Sequence, residues 1–102
     1  MINVYEGMAG YTPEYVQIGE FTLVCTCGAC PEQYDAFLDG KQVGYFRLRH
    51  GKFYVDSPDV GGYTVYKAYP KGDGIFYEEE REYYLTEACN ALRNYLNRGE
   101  PR

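Results

Sequence analysis

The sequence predicts an α+β fold in which an antiparallel meander sheet of four to five strands is covered on one face by one C-terminal helix. Between residues 20 and 69, apolar and polar side chains alternate between glycine-containing turns, as in half-buried strands. From residue 78 to 97 the period changes to 3.6, as in an amphipathic helix. The apolar stripe of that helix consists of Leu85, Ala88, Cys89, Leu92 and Leu96.

Local patterns justify each element in turn. Residues 1–20 are rich in glycine and contain Pro13, so we expect irregular or extended chain there. Glutamates in the first turns of the helix and arginines near its end suit the helix dipole, and Gly99 is a natural residue to follow it. Strands are predicted at residues 21–27, 33–38, 42–49, 52–56 and 63–69, and the helix at 78–97.

The turns between the strands also predict register. A two-residue turn at His50-Gly51 would place all apolar pairs of the flanking strands on one face and all polar pairs on the other. The predicted pairs are Leu48 with Phe53, Phe46 with Val55, and Arg47 with Tyr54. An odd-length loop around Asp39-Gly40 would add Tyr34, Ala36 and Leu38 to the apolar face.

Length and charge restrict the class of protein. A chain of 102 residues is expected to form a single domain, residues 1–102. The net charge of −5 argues against general nucleic-acid binding, which needs a cationic surface. Neither a long apolar run nor a secretory signal is evident, so we expect no membrane association and a cytoplasmic protein.

Four cysteines form the most specific chemical pattern. Cys25, Cys27 and Cys30 lie within six residues, and Cys89 belongs to the helix stripe. The spacing is poorer than the paired C-x-x-C knuckles of strong zinc signals, so we favour small core side chains and expect no cofactor. A zinc site completed by Cys89 or His50 and a disulfide are the alternatives.

A basic island occurs in an otherwise acidic chain. Residues 1–40 hold six acids and no lysine or arginine, whereas the predicted hairpin at 41–54 is basic. Guanidinium groups beside aromatic rings can hold a phosphate and stack a base, which would suit an anionic nucleotide or signal molecule. A solvated strand face is the alternative interpretation. The candidate residues are Tyr45, Arg47, Arg49, Lys52 and Tyr54.

An acidic run surrounds the start of the predicted helix. Carboxylates beside tyrosines could imitate phosphates and occupy a basic nucleic-acid groove on another protein. Ordinary solubilisation of the helix is the alternative. The candidate partner-binding residues are Glu78, Glu79, Glu82, Tyr83 and Glu87.

Catalysis finds little support in the sequence. The single histidine, His50, lies at a tight turn, and no catalytic motif such as G-x-S-x-G or H-E-x-x-H is present. A thiol nucleophile would need a base, and only His50 offers one. We therefore expect a protein that is not an enzyme.

In small size, acidity and abundance of tyrosine, the chain resembles accessory proteins of phages and mobile elements, including anti-CRISPR and other anti-defence inhibitors. The resemblance covers composition and length, and no motif carries it. It implies an inhibitor in the host cytoplasm that binds a protein partner, such as a nucleic-acid-binding effector. A homodimer through a tyrosine-rich sheet face stays open, as does a zinc-stabilised accessory domain.

Overall fold

One antiparallel sheet and one helix make up the computed structural model, which describes residues 2–3, 15–27 and 31–98. Within these residues the sheet has six strands of four to nine residues and a two-residue strand at one edge. The elements are β1 Ile2–Asn3, β2 Tyr15–Ile18, β3 Phe21–Cys27, β4 Glu32–Leu38, β5 Lys41–Arg49, β6 Lys52–Ser57, β7 Tyr63–Ala68 and α1 Glu78–Asn97.

The strands follow one another across the sheet in chain order, so β1 and β7 are its edges. This confirms the predicted antiparallel meander and the predicted bounds of the helix. The expected number of four or five strands was too low, because Tyr15–Ile18 also pairs with β3. Val16 of this short strand is buried and pairs with Leu23 of β3. Packing against the core therefore holds in the sheet a four-residue segment whose sequence pattern did not predict a strand.

The hairpin of β5 and β6 has the predicted register. Phe46 pairs with Val55, Leu48 with Phe53 and Arg47 with Tyr54. His50 and Gly51 both have positive φ, 55° and 74°, as a two-residue type I′ turn requires. The apolar pairs therefore lie in the core, and the opposite face carries Arg47 and Tyr54.

The β4–β5 hairpin corrects the predicted odd-length loop. Asp39 and Gly40 form a two-residue turn with φ of 53° and 81°, and Leu38 pairs directly with Lys41. The extra residue lies within the sheet instead of in the loop. Ala36 pairs with Gly44 and Phe37 with Gln42, so Val43 has no partner on β4 and forms a β-bulge. Tyr34 and Ala36 are buried as predicted, because the bulge restores the alternation that a two-residue turn alone would reverse.

Helix α1 covers one face of the sheet and closes the core. The predicted stripe is confirmed: Leu85, Ala88, Cys89 and Leu92 are buried, and Leu96 packs against the cluster. A Cβ atom on Gly44 would lie 3.0 Å from Leu92 Cδ2, so glycine at this strand position permits close approach of the helix. The helix ends at Asn97 with Arg98 as its cap, and the predicted role of Gly99 lies outside the described residues.

Candidate functional site

The cysteines occupy different environments. Cys89 is fully buried in the core, and Cys25 packs against that core from β3. Cys25 pairs with Tyr34, whereas the charges acting on Cys89 are those of Arg93 and Glu20.

Zinc binding by the cysteines stays an untested alternative to the predicted role as small core side chains. Among the side chains that the structure describes, no three potential ligands are grouped to hold a metal ion. Cys30 lies outside the described residues, and only the backbone of Cys27 is described, so the four-cysteine set is untested. Burial raises the pKa of the Cys89 thiol to about 12, which keeps this sulfur protonated at neutral pH. A nucleophilic thiol needs the opposite shift.

The acidic run divides into structural and solvent-facing carboxylates. Glu80 points back to the preceding loop and accepts hydrogen bonds from the backbone N–H groups of Lys71, Gly72 and Tyr77 at 2.8–3.0 Å. Burial alone would raise its pKa, but these three donors outweigh burial and lower it. Glu80 therefore fastens the loop to the helix and is not available to a partner.

The remaining acids and a set of tyrosines form a surface, here called the acidic face, in which Tyr84 and Glu87 are half-buried and the other residues are exposed. Glu79 and Glu82 are exposed, and no ion pair involves either of them within residues 15–26 and 31–98. Glu78 is exposed and lies 3.1 Å from Arg81 Nη1. Tyr83 is 60% exposed and touches the ring of Tyr84 edge-on. The acidic face consists of Tyr77, Glu78, Glu79, Glu82, Tyr83, Tyr84 and Glu87.

Glu87 extends the acidic face towards strand β7. Burial raises the pKa of the Tyr66 phenol to about 12, and the nearby Glu87 carboxylate and the phenols of Tyr83 and Tyr84 add to the increase. Carboxylates and phenol rings are thus neighbours along the seam of α1 and β7. All five predicted partner-binding residues lie on this side of the helix or at its start.

The predicted basic residues are brought together on the sheet face opposite the helix. Arg47 and Tyr54 are direct cross-strand neighbours, as are Arg49 and Lys52. Lys52 Nζ lies 5.7 Å from the centre of the Tyr54 ring. Tyr45, next along β5 on the same face, is buried, and burial raises its pKa although the Arg47 charge opposes this.

A buried ion pair was missed by the sequence analysis. Glu32 accepts hydrogen bonds from Arg81 Nε at 2.8 Å, from Tyr34 Oη at 2.6 Å and from the N–H of Phe76 at 3.0 Å. The Glu32 side chain is fully buried and that of Arg81 almost so. Burial would lower the pKa of Arg81, but the hydrogen bonds and charge of Glu32 outweigh it and raise it. The signal was present, because Arg81 precedes Leu85 and Ala88 in the inward stripe at helical spacing.

A groove between β7 and the second half of α1 has a volume of about 280 Å³. At its wall the rings of Tyr63 and Tyr95 stack with centres 5.3 Å apart. The volume falls below the range of about 300–1,000 Å³ typical of small-molecule pockets, so we do not assign the groove a ligand. Its lining consists of Tyr63, Thr64, Val65, Ala91, Asn94, Tyr95 and Arg98.

Comparison with known proteins adds no relative: no protein-family model, curated protein or solved structure matches the chain. In the part of the chain that the structure describes, no helix is both long and apolar enough to cross a membrane.

Proposed function

We propose that the protein is a non-enzymatic binding module that uses the acidic face to occupy the cationic surface of a nucleic-acid-binding protein. One observation carries the proposal: Glu79, Glu82 and Tyr83 are exposed together at the start of α1, with no role in the core. An inhibitor of this kind would act by steric competition, as the resemblance to phage accessory proteins implies.

The carboxylates that stabilise the fold are different from those that face solvent, and this separation supports the proposal. Stability relies on Glu80 and on the buried Glu32, whose oxygens are occupied by hydrogen bonds. Side chains three positions apart on a helix, such as Glu79 and Glu82, have Cβ atoms about 5–6 Å apart. The two free carboxylates therefore present concentrated negative charge, and their repulsion at this spacing costs the helix a little stability that core contacts do not offset.

The tyrosines supply what charge alone lacks. Tyr77 and Tyr83 are half or more exposed, and Tyr84 lies between Tyr83 and the buried Phe76. Tyrosine is enriched at protein interfaces because a large, rigid ring buries much area for little loss of conformational entropy. Charge complementarity would guide the encounter, and the rings would provide contact area.

Affinity capture tests the proposal. Wild-type protein and the charge-reversed variant E79K/E82K are immobilised separately and exposed to a bacterial lysate. We expect the wild type to retain a nucleic-acid-binding protein that a short DNA duplex releases, because duplex and acidic face compete for one surface. The variant should not retain that protein.

The matched control is D39N/D59N, which alters two exposed acids beyond the opposite end of the sheet from the helix start. Both positions accept asparagine, which tolerates the positive φ of Asp39. This control should retain the captured protein. Equal capture by E79K/E82K, or a captured protein that duplex DNA does not release, would contradict the proposal.

A further inference from the structure

The sheet face opposite the helix holds a group of cations arranged around one aromatic ring. In one row across the sheet, Tyr54 lies between Arg47 of β5 and Lys67 of β7. Two residues further along, Arg49 and Lys52 form the next row. We call these four cations and Tyr54 the basic strip. Lys67 was not among the sequence-predicted residues, because its place beside Tyr54 depends on the β6–β7 register.

The cations of the basic strip lack carboxylate partners. Ion pairs among the described residues involve Arg81 and Arg93 only. The two acids on the same face nearest to Arg47 by register, Asp35 and Asp56, lie one row away beside Tyr45. Asp56 is already occupied by Thr64 Oγ1 at 2.6 Å. Within residues 15–26 and 31–98, these four neighbouring positive charges therefore have no carboxylate paired with them.

Arg47 gives the second, independent observation. Its Nε atom is buried and has no hydrogen-bond partner among the described residues. A buried N–H group without an acceptor costs free energy, and most such groups in folded proteins have a partner. Because Nε itself is buried, an anionic oxygen would meet Arg47 at the accessible part of its half-buried side chain, in the row of Tyr54 and Lys67.

The Tyr54 ring indicates which group the ligand carries besides its phosphates. It is half-buried, so one part is held by the sheet while another part stays accessible. Lys52 Nζ, 5.7 Å from its centre, lies close enough for a cation–π contact. A planar base can stack on such a ring when the Lys52 ammonium leaves it to contact the phosphates, which guanidinium and ammonium groups hold.

We propose that the basic strip binds a nucleoside phosphate, with the base on Tyr54 and the phosphates contacting the flanking cations Arg47, Lys67 and Lys52. Three neighbouring strands span about 10 Å and two residues of a strand about 7 Å, so the strip has the dimensions of a single nucleotide. A polymer would also meet the repulsion of a net charge of −5. This site is separate from the acidic face and does not depend on the proposed function.

Calorimetric titration with ATP, adenosine and inorganic tripolyphosphate tests the proposal on the full chain. We expect saturable binding of ATP, and binding at least roughly tenfold weaker for each of the other two, because each offers half of the contacts. No binding of ATP in the millimolar range would overturn the proposal. Equal affinity for tripolyphosphate, or binding of a single-stranded oligonucleotide in place of ATP, would also overturn it.

Variants locate the site. R47M should weaken ATP binding by roughly tenfold or more, and K67Q, an exposed change that leaves the core untouched, should weaken it severalfold. The control is K41Q, which removes one exposed charge from the same strand about 20 Å away and should leave the affinity unchanged. A loss in K41Q equal to that in K67Q would show general charge attraction and overturn the assignment.

Discussion

At the scale of single residues, the Glu32 carboxylate connects strand β4 with the start of helix α1 and the loop before it. It receives Arg81 from the helix, Phe76 N–H from the loop before the helix and the hydroxyl of Tyr34 from its own strand. The backbone N–H of Glu32 also donates to Gly74 at 2.8 Å. Because the side chains of Glu32 and Arg81 are both removed from water, the hydrogen bonds between them replace those that each charged group would make with water.

Glu32→Gln should therefore destabilise the fold strongly. The change leaves the Arg81 charge without its buried counterion, with only the exposed Glu78 still paired, and loss of one partner of a buried pair costs about 3–5 kcal/mol. Urea unfolding measures the difference. The control is Glu78→Gln, which removes the exposed partner of the same arginine and should cost below about 1 kcal/mol. Similar losses in both variants would contradict a dominant role for the buried pair.

At the scale of elements, the start of α1 and the loop before it form one unit. Glu80 accepts three backbone N–H groups, two of them from Lys71 and Gly72 in the loop. A Cβ atom on Gly72 would collide with the carbonyl of Ile75, so the loop also needs glycine at that position. The turn of β5 and β6 joins the same unit through the bond from Gly51 N–H to Asp73 O.

Glu80→Ala should loosen this unit while leaving the sheet folded. Three N–H groups lose their acceptor at once, and we expect a loss of about 1–3 kcal/mol. Hydrogen exchange should show faster exchange at Lys71, Gly72 and Tyr77. Glu79→Ala, one residue away and exposed, is the matched control and should leave these amides protected. Unchanged exchange in the Glu80 variant would contradict the proposed attachment.

At the scale of the whole molecule, an ion pair on the outside ties the helix to the β2–β3 turn. Both oxygens of Glu20 accept from Arg93, at 2.7 and 2.8 Å. The guanidinium also lies over the Phe21 ring, 5.4 Å from its centre. Hydrogen bonding to Arg93 lowers the Glu20 pKa from 4.5 to about 2. The pair is partly exposed, so we expect it to contribute about 1 kcal/mol or less.

The free energy of unfolding should consequently decrease at acidic pH. Glu20 and Glu80 both have lowered pKa values in the folded chain. The contribution of Glu20 is present above pH 4.5 and is lost as the pH falls towards about 2, and that of Glu80 is lost in the same direction. The free energy of unfolding, measured by urea titration at a series of pH values, should show this decline. Glu20→Gln should make the decline shallower, and an unchanged slope would contradict the assignment.

At alkaline pH, the free energy of unfolding should depend on Cys89. Its thiol has a pKa raised from 9.0 to about 12, so its contribution is present below pH 9.0 and is lost as the pH rises towards 12. Cys89→Ala should make the alkaline decline of the unfolding free energy shallower, whatever its effect at neutral pH. Tyr66, whose pKa is raised from 10.0 to about 12, loses its own contribution as the pH rises above 10, and this loss would persist in the variant. Identical alkaline slopes would contradict this role.

Features that depend on interactions between residues close in sequence could be predicted, whereas features that depend on more distant contacts could not. The β5–β6 register was predictable because His50-Gly51 and the alternation of Phe46 and Leu48 are local signals. The β4–β5 bulge was not, since a loop and a bulge can absorb the same odd residue. The acidic face and most of the basic strip were predicted from charge and period, whereas Lys67 required the register of a further strand.

The sequence by itself determined the antiparallel meander, the buried stripe of α1 and the location of its charged runs, because these depend on periods of 2 and 3.6 residues and on short turns. Only the tertiary structure decided which of those charges are used internally. Arg81 meets Glu32 across 49 residues, while Glu79, two positions before it, stays in solvent. The physical reason is that burial and ion pairing depend on where the helix crosses the sheet, which no local pattern specifies.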